Sequence, residues 1–340
     1  MSKNEFSVAI LGATGAVGEA LIEILEEREF PVSELYLLAS ERSAGKRIQF
    51  RGKHLKVQKV EEFDFSVAEI GFFSAGGSVS EKYAPLAADA GCVVIDNTSK
   101  FRYEENIPLI VPEVNAHRLD EFKNRNIIAN PNCSTIQMML ALKPIHDEVG
   151  ISRVNVATYQ AVSGAGAGGV RELAAQTANL LNTKPIESNV MPVQIAFNAI
   201  PQIAEFMDND YTLEEMKMVW ETQKILESEE IRVNPTCVRV PVFYGHSEAI
   251  HIETVESISK VKAEELLEAA PGVQLFRDNG YPTAVTEAAG QDLVYVGRVR
   301  EDISCENGLN MWVVSDNVRK GAALNSVQIA ELLKDSLSEV

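Results

Sequence analysis

Apolar residues form short unbroken runs in the first third of the chain and alternate with polar ones further on. Phe6-Ser7-Val8-Ala9-Ile10-Leu11, Leu35-Tyr36-Leu37-Leu38-Ala39, Ala68–Ala75 and Cys92-Val93-Val94-Ile95-Asp96 are the clearest runs. Runs of this length read as strands buried on both faces, the mark of a parallel sheet. Between them, Glu19–Glu27 carries Ala20, Leu21, Ile24 and Leu25 at helical spacing, and Ser80–Ala90 does the same with Tyr83, Leu86, Ala87 and Ala90. Ile110–Asn115 and Ile127–Asn130 extend this β/α alternation.

Beyond residue 133 the pattern changes. Val154–Gln160 alternates as a half-exposed antiparallel strand does. Cys237–Val242, Ala249–Val255, Leu293–Val299 and Gly308–Ser315 read as further strands. Residues 213–227, Lys262–Ala269 and Gly321–Leu337 read as helices, and Ser163–Gly169 as a flexible loop that enters a helix at Val170. The expected fold is α/β: a Rossmann-like domain followed by an α+β domain with a mainly antiparallel sheet.

Charge narrows the partners. The chain of 340 residues has 49 acidic and 31 basic side chains, a net charge of −18. So acidic a protein is a poor ligand for nucleic acid or an anionic membrane, and neither is expected as a partner. An anionic substrate would need a few cations focused in its site. No apolar window is long enough to cross a bilayer, and no basic-apolar-small leader pattern precedes the first strand, so the expected location is cytoplasmic. Cys92, Cys133, Cys237 and Cys305 are far apart, with no CxxC and no Cys/His cluster, so neither a disulfide framework nor a metal site is expected.

Gly12-Ala13-Thr14-Gly15-Ala16-Val17-Gly18 stands between the first strand and the first helix. That context suits a dinucleotide: glycines admit the pyrophosphate and the helix N-terminus faces it. The second strand ends in Ser40-Glu41-Arg42-Ser43. A guanidinium and a hydroxyl suit the 2′-phosphate of NADP; Glu41 leaves open a carboxylate on the ribose diol of NAD. Ser74-Ala75-Gly76-Gly77 and Asn97–Arg102 follow the next two strands, where ligands of such sheets gather.

Cys133 lies in Asn130-Pro131-Asn132-Cys133-Ser134-Thr135, just ahead of an apolar run. Pro131 disfavours helix before it and Asn132 is a good N-cap, so Cys133 falls in the first turn of a helix. The positive end of the helix favours a thiolate, hence a nucleophile; a buried, inert cysteine is the alternative. A thiolate nucleophile calls for an acid–base partner. Of His54, His117, His146, His246 and His251, position favours His246, in a turn beside Gly245 and Ser247; a structural histidine is the alternative there. The loop Ser163–Gly169 suits a phosphate cradle, a hinge or close packing equally.

With these residues assembled, the chain resembles the aspartate-β-semialdehyde dehydrogenases, in their bacterial form. The resemblance covers nearly the whole chain. It rests on Gly12–Gly18, Asn97–Arg102, Asn130–Thr135, Thr158–Gly166, Glu221-Thr222-Gln223-Lys224, Arg239-Val240-Pro241-Val242, Gly245-His246-Ser247 and Ser315–Gly321. It implies reversible, NADP-linked conversion of L-aspartate 4-semialdehyde and inorganic phosphate to 4-phospho-L-aspartate through a thioester on Cys133. That step belongs to biosynthesis of lysine (with diaminopimelate), threonine and methionine.

It further implies His246 as acid–base and Gln160 as the orienting glutamine. Arg239 would hold the α-carboxylate, Glu221 the α-ammonium, and Arg102 and Lys224 the phosphate, with Asn132 beside them. Gly12, Thr14, Gly15, Ala16, Val17, Arg42, Ser43, Ser74, Gly76, Ser163, Gly164 and Asn317 would contact NADP, with no metal. Residues 1–131, completed by a C-terminal helix over 320–340, would bind NADP; residues 132–319 would carry catalysis and homodimerisation. The nearest rival is an N-acetyl-γ-glutamyl-phosphate reductase, whose blocked amine has no use for Glu221. A phosphorylating glyceraldehyde-phosphate dehydrogenase lacks support after strand two. A non-catalytic, NADP-sensing Rossmann protein would make Cys133, His246, Arg239 and Glu221 coincidental.

Overall fold

The computed structural model describes residues 5–338. The chain forms two compact units. One runs through Pro131 and resumes at Ala322; the other spans Asn132–Gly321.

The first unit is built on the strands β1 (Phe6–Leu11), β2 (Val32–Ala39), β3 (Arg47–Phe50), β4 (Lys53–Lys56), β5 (Gln58–Lys59), β6 (Ile70–Phe73), β7 (Val93–Asp96) and β8 (Ile127–Ala129). Six of them form a sheet in the order β5-β2-β1-β6-β7-β8, every pair parallel. The unbroken apolar runs have their physical reason here: β6 and β7 are buried at every position. The strand order reverses between β1 and β6, so the turns that follow these two strands open on one crevice. Helix α1 (Ala16–Glu27) follows β1 and α2 (Gly77–Asp89) follows β6. β3 and β4 form a separate charged hairpin, with Arg47 opposite Lys56. No periodicity announces so short a hairpin with three apolar residues. Ile110–Asn115 is not a continuing strand: Pro112 opens the short helix α3 (Pro112–Asn115), where its fixed φ and missing N–H cost least.

The second unit contains the helices α4 (Cys133–Val149), α5 (Gly166–Leu181), α6 (Leu213–Ile225) and α7 (Lys260–Ala269). Its strands are β9 (Ile151–Gln160), β10 (Arg232–Arg239), β11 (His246–Thr254), β12 (Val273–Leu275), β13 (Val294–Glu301) and β14 (Gly308–Ser315), in the order β10-β9-β11-β14-β13-β12. The three central pairs are antiparallel and the two outer pairs parallel. One face is buried beneath α4, which is itself buried from Ser134 to Leu142. The other face, with Asn155, Ala157, Ala249, His251 and Trp312, is half-buried. A last helix, α8 (Leu324–Ser338), belongs to the first unit, where Asn325 Nδ2 donates to the Ile110 carbonyl at 3.0 Å and to Asn130 Oδ1 at 2.7 Å.

Two details correct the sequence reading. Helix α5 begins at Gly166, so the glycines of Ser163–Gly169 are mostly its first turn and not a free loop. His246 is not in a turn; it is the first residue of β11, and the preceding strand stops at Arg239, before Pro241.

Two side chains of α5 order the irregular stretch that follows. Glu172 accepts the N–H groups of Asn189, Val190 and Met191 at 2.6, 2.7 and 2.9 Å. Gln176 Oε1 accepts those of Ile195 and Ala196 at 2.9 and 3.1 Å. No helix among the described residues is long and apolar enough to cross a membrane.

Candidate active site

In the first unit, the β1 and β6 turns enclose a cleft of about 380 Å³ lined by Gly12, Thr14, Gly15, Arg42, Ser43, Ser74 and Tyr83, among others. Gly12 has a φ of +97°, and a Cβ there would lie 2.8 Å from Ser74 Oγ. A Cβ on Gly18 would collide with the Gly12 carbonyl, so the helix sits as close to the strand as backbone allows. Gly15 caps α1 without a side-chain hydrogen bond, which leaves the first N–H groups of Ala16, Val17 and Gly18 for an anion. Gly76, at φ +102°, opens α2 with nothing near its missing Cβ. Glu41 is turned away: its carboxylate is bound by Lys59 at 2.7 Å and does not line the cleft, while Arg42 and Ser43 do. The residues of the cleft fit a dinucleotide. Arg102 also lies in this unit, buried, with Nη2 donating to the Asn97 carbonyl at 2.9 Å.

The second unit holds the reactive-looking side chains. Asn132 caps α4 as expected, its Oδ1 accepting from Ser134 N at 3.0 Å and Thr135 N at 3.4 Å, so Cys133 is the first helical residue. Cys133 is half-buried. Cys92 and Cys237 are buried thiols, Cys92 pushed up to about 12 by burial and the nearby Glu69, Cys237 raised by burial and Glu214. They are inert packing. Gly321 stands beside Cys133, where a Cβ would lie 2.8 Å from the cysteine Cβ.

His246 is wholly buried, and its Nδ1 accepts the Ala161 N–H at 3.0 Å, which puts the proton of the neutral ring on Nε2. Burial and the Arg239 guanidinium hold this ring down at about 3, against the opposing pull of Glu214. It is neutral at physiological pH. Gln160 Nε2 lies 3.5 Å from His246 Nε2. Arg239, at the end of β10, donates to the Ala161 carbonyl at 2.8 Å, and burial lowers its pKa while Glu214 and Cys133 raise it. Gly164 faces both: its absent Cβ would be 2.8 Å from Arg239 Nη1 and 3.6 Å from His246 Nε2. The other histidines are elsewhere. His54 is exposed on the hairpin, His146 accepts the Ile151 N–H at 3.1 Å, and His251 pairs with Asp302 at 2.7 Å on the half-buried sheet face.

Glu221 Oε2 accepts the Asn132 backbone N–H at 2.6 Å, and Lys224 lies on the same helix one turn on. Ser163 and Asn317 are both buried and bonded to each other at 3.0 Å, and Asn317 Oδ1 also accepts the Gly245 N–H at 2.9 Å. That amide braces the residue just ahead of His246.

Three residues were missed in the sequence. Glu214 is buried and accepts from both Asn132 Nδ2, at 2.9 Å, and Gln160 Nε2, at 3.1 Å. An acidic residue in the first turn of a helix is ordinary, so nothing marked it. Glu248, two residues after His246 on the same face of β11, is fully buried, and burial raises its carboxyl well above the usual range. Gln137 links the two elements, with Oε1 accepting from Ser315 Oγ at 3.1 Å and Nε2 reaching the His246 carbonyl at 3.5 Å.

Residues 7–122 match the family description "Semialdehyde dehydrogenase, NAD binding domain", and residues 142–320 match "Semialdehyde dehydrogenase, dimerisation domain". The chain is similar to the aspartate-semialdehyde dehydrogenase of Shewanella violacea, at 64% identity over 97% of this chain and 98% of that one. Among solved structures it is similar to aspartate semialdehyde dehydrogenase II of Vibrio cholerae complexed with ASA, with a TM-score of 0.97, 64% identity, and coverage of 97% and 98%. The aspartate semialdehyde dehydrogenase of Candida albicans with NADP matches at a TM-score of 0.77 and 26% identity, over 97% and 98% of the two chains.

Proposed function

Given that the chain belongs to the semialdehyde dehydrogenase family, and within it to the aspartate-semialdehyde dehydrogenases, we propose that it converts L-aspartate 4-semialdehyde, inorganic phosphate and NADP reversibly to 4-phospho-L-aspartate and NADPH. The observation that carries the reading is Cys133 at a capped helix start in a unit that also gathers His246, Gln160, Arg239 and Glu221.

In the oxidative direction the Cys133 thiolate adds to the aldehyde carbon and makes a thiohemiacetal. The Nε2–H of His246 faces the oxygen that gains charge in that addition. That donor holds the oxygen as an oxyanion, from which hydride leaves directly; no hydroxyl proton has to be removed, and Nδ1 keeps the Ala161 N–H. NADP supplies the hydride acceptor. Phosphate then attacks the thioester carbon, the C–S bond breaks, and Cys133 leaves as thiolate. Arg239 matches an α-carboxylate as a two-pronged donor. Glu221 suits the α-ammonium. Lys224 and Asn132 suit the phosphate, which answers the demand for a local cation in an acidic chain.

The cofactor is NADP, held in the first unit by Gly12, Thr14–Val17, Ser74 and Gly76. Arg42 and Ser43 read the 2′-phosphate; the occupation of Glu41 by Lys59 supports this. The half-buried sheet face of the second unit, with Tyr159 and Trp312 in ring contact at 5.5 Å, supports a homodimer. The product feeds synthesis of lysine, threonine and methionine.

The test is phosphate-dependent NADPH formation from L-aspartate 4-semialdehyde by the wild type and Cys133→Ala. The variant is expected to bind NADP yet lose nearly all turnover. Activity confined to the N-acetylglutamate semialdehyde overturns the substrate, and turnover retained by Cys133→Ala overturns the nucleophile.

A further inference from the structure

Glu214 takes no part in the chemistry proposed above, yet it joins two residues that do. Its Oε1 receives both Asn132 Nδ2, at 2.9 Å, and Gln160 Nε2, at 3.1 Å, and its Oε2 receives Lys217 Nζ at 3.0 Å. Asn132, Gln160 and Glu214 are all buried. Glu214 stands in the first turn of α6, which Thr212 and Glu215 close with a reciprocal capping box.

We propose that Glu214 is a positioning residue that locks the side-chain amides of Asn132 and Gln160 in one orientation, with Lys217 as its counter-ion. The inference rests on the reading of Cys133 as nucleophile with His246 and Gln160 as its partners.

An ionised carboxylate only accepts, so each amide must turn its NH₂ toward it. The consequence is fixed at the far end of each side chain. Asn132 Oδ1 is left facing Ser134 N and Thr135 N, which it caps, and this sets where the helix carrying Cys133 begins. Gln160 Oε1 is left to Thr158 Oγ1 at 2.9 Å, with Nε2 toward the His246 ring. Flipping either amide would set a carbonyl oxygen against the carboxylate, and flipping Asn132 would also leave the backbone donors of α4 unmet. Burial pushes the Glu214 carboxyl up, but Lys217, then the donors from Asn132, Gln160 and Lys217, outweigh it and hold it at about 2. It is therefore an anion throughout the working pH range.

A buried ion pair is a poor device for stability alone, since apolar residues of similar size often serve as well. That separates positioning from structure. In Glu214→Leu/Lys217→Met both charges go together, and the fold is expected to survive. We expect kcat to fall at least about tenfold while KM for the semialdehyde and NADP stays within about threefold, with slower alkylation of Cys133 by iodoacetamide. Lys217→Arg, which keeps the counter-ion, should stay near wild type. A folded double variant with kcat within about threefold of wild type, beside an inactive Cys133→Ala, overturns the inference and leaves the nucleophile reading intact. If Cys133→Ala is active, it is the nucleophile reading that falls. Should the double variant not fold, Glu214→Met/Lys217→Met, which also removes both charges and the acceptor, decides by the same kcat criterion.

Discussion

Gly321 leaves the space that Cys133 occupies: a Cβ at 321 would come within 2.8 Å of the cysteine Cβ and 3.3 Å of its Cα. The backbone there does not need glycine, so the constraint is one of contact. Gly321→Ala should shift the start of α4 and with it Cys133. Displacements of this size cost about 10- to 100-fold in kcat. Steady-state kinetics together with a thermal melt check it; a full-rate Gly321→Ala enzyme would show that the cysteine has room to spare.

Arg42 faces the cleft and Glu41 does not. Arg42→Ala should raise KM for NADP by about 10- to 100-fold, the size of a lost charge-assisted contact of about 1.5–3 kcal/mol, and leave KM for NAD unchanged. Parallel titrations with NADPH and NADH read this directly. Equal losses for both would show that Arg42 does not touch the 2′-phosphate.

The His246 ring stays unprotonated until about pH 3, whereas in an unfolded chain it takes its proton near 6.5. Between those values the unfolded state binds more protons. Stability is therefore fully present above pH 6.5 and falls with pH below it, at up to about 1.4 kcal/mol per pH unit from this one group. Denaturant unfolding of wild type and His246→Gln from pH 7.5 to 4.5 should show a difference that shrinks on acidification. A constant difference would mean the ring titrates normally.

Helix α6 carries Glu214, Glu221 and Lys224, and its start is fixed by Thr212 Oγ1 accepting from Glu215 N and by Glu215 Oε2 accepting from Thr212 N at 2.7 Å. Thr212→Ala should cost about 1 kcal/mol of stability. Glu215→Ala should cost more, because Glu215 Oε1 also accepts the Cys237 N–H at 2.9 Å and all three groups are buried. Urea midpoints measured at a common m-value give the ranking.

The parallel sheet of the first unit was readable because burial on both faces writes unbroken apolar runs. The capped start of α4 was readable because Pro131 and Asn132 act locally. What failed depends on partners far along the chain. Val154–Gln160 alternates like an antiparallel strand and is one toward β11, but it pairs in parallel with β10, a choice no alternation encodes. His246 looked like a turn residue because Pro241 and Gly245 precede it, yet pairing with Ser315 draws it into β11. Glu214 and Gln137 carried no signal: their roles consist wholly of what lies opposite them after folding. Pro112, by contrast, is a local signal: a proline there marks a helix start and ends the β pattern of Ile110–Asn115.

The grip of Glu172 and Gln176 on residues 189–196 has a kinetic side. Five backbone N–H groups that belong to no ladder are sheltered by two side chains on one helix. Their exchange with deuterium is then governed by a single opening event, the lifting of α5, and the five amides should lose protection at one common rate.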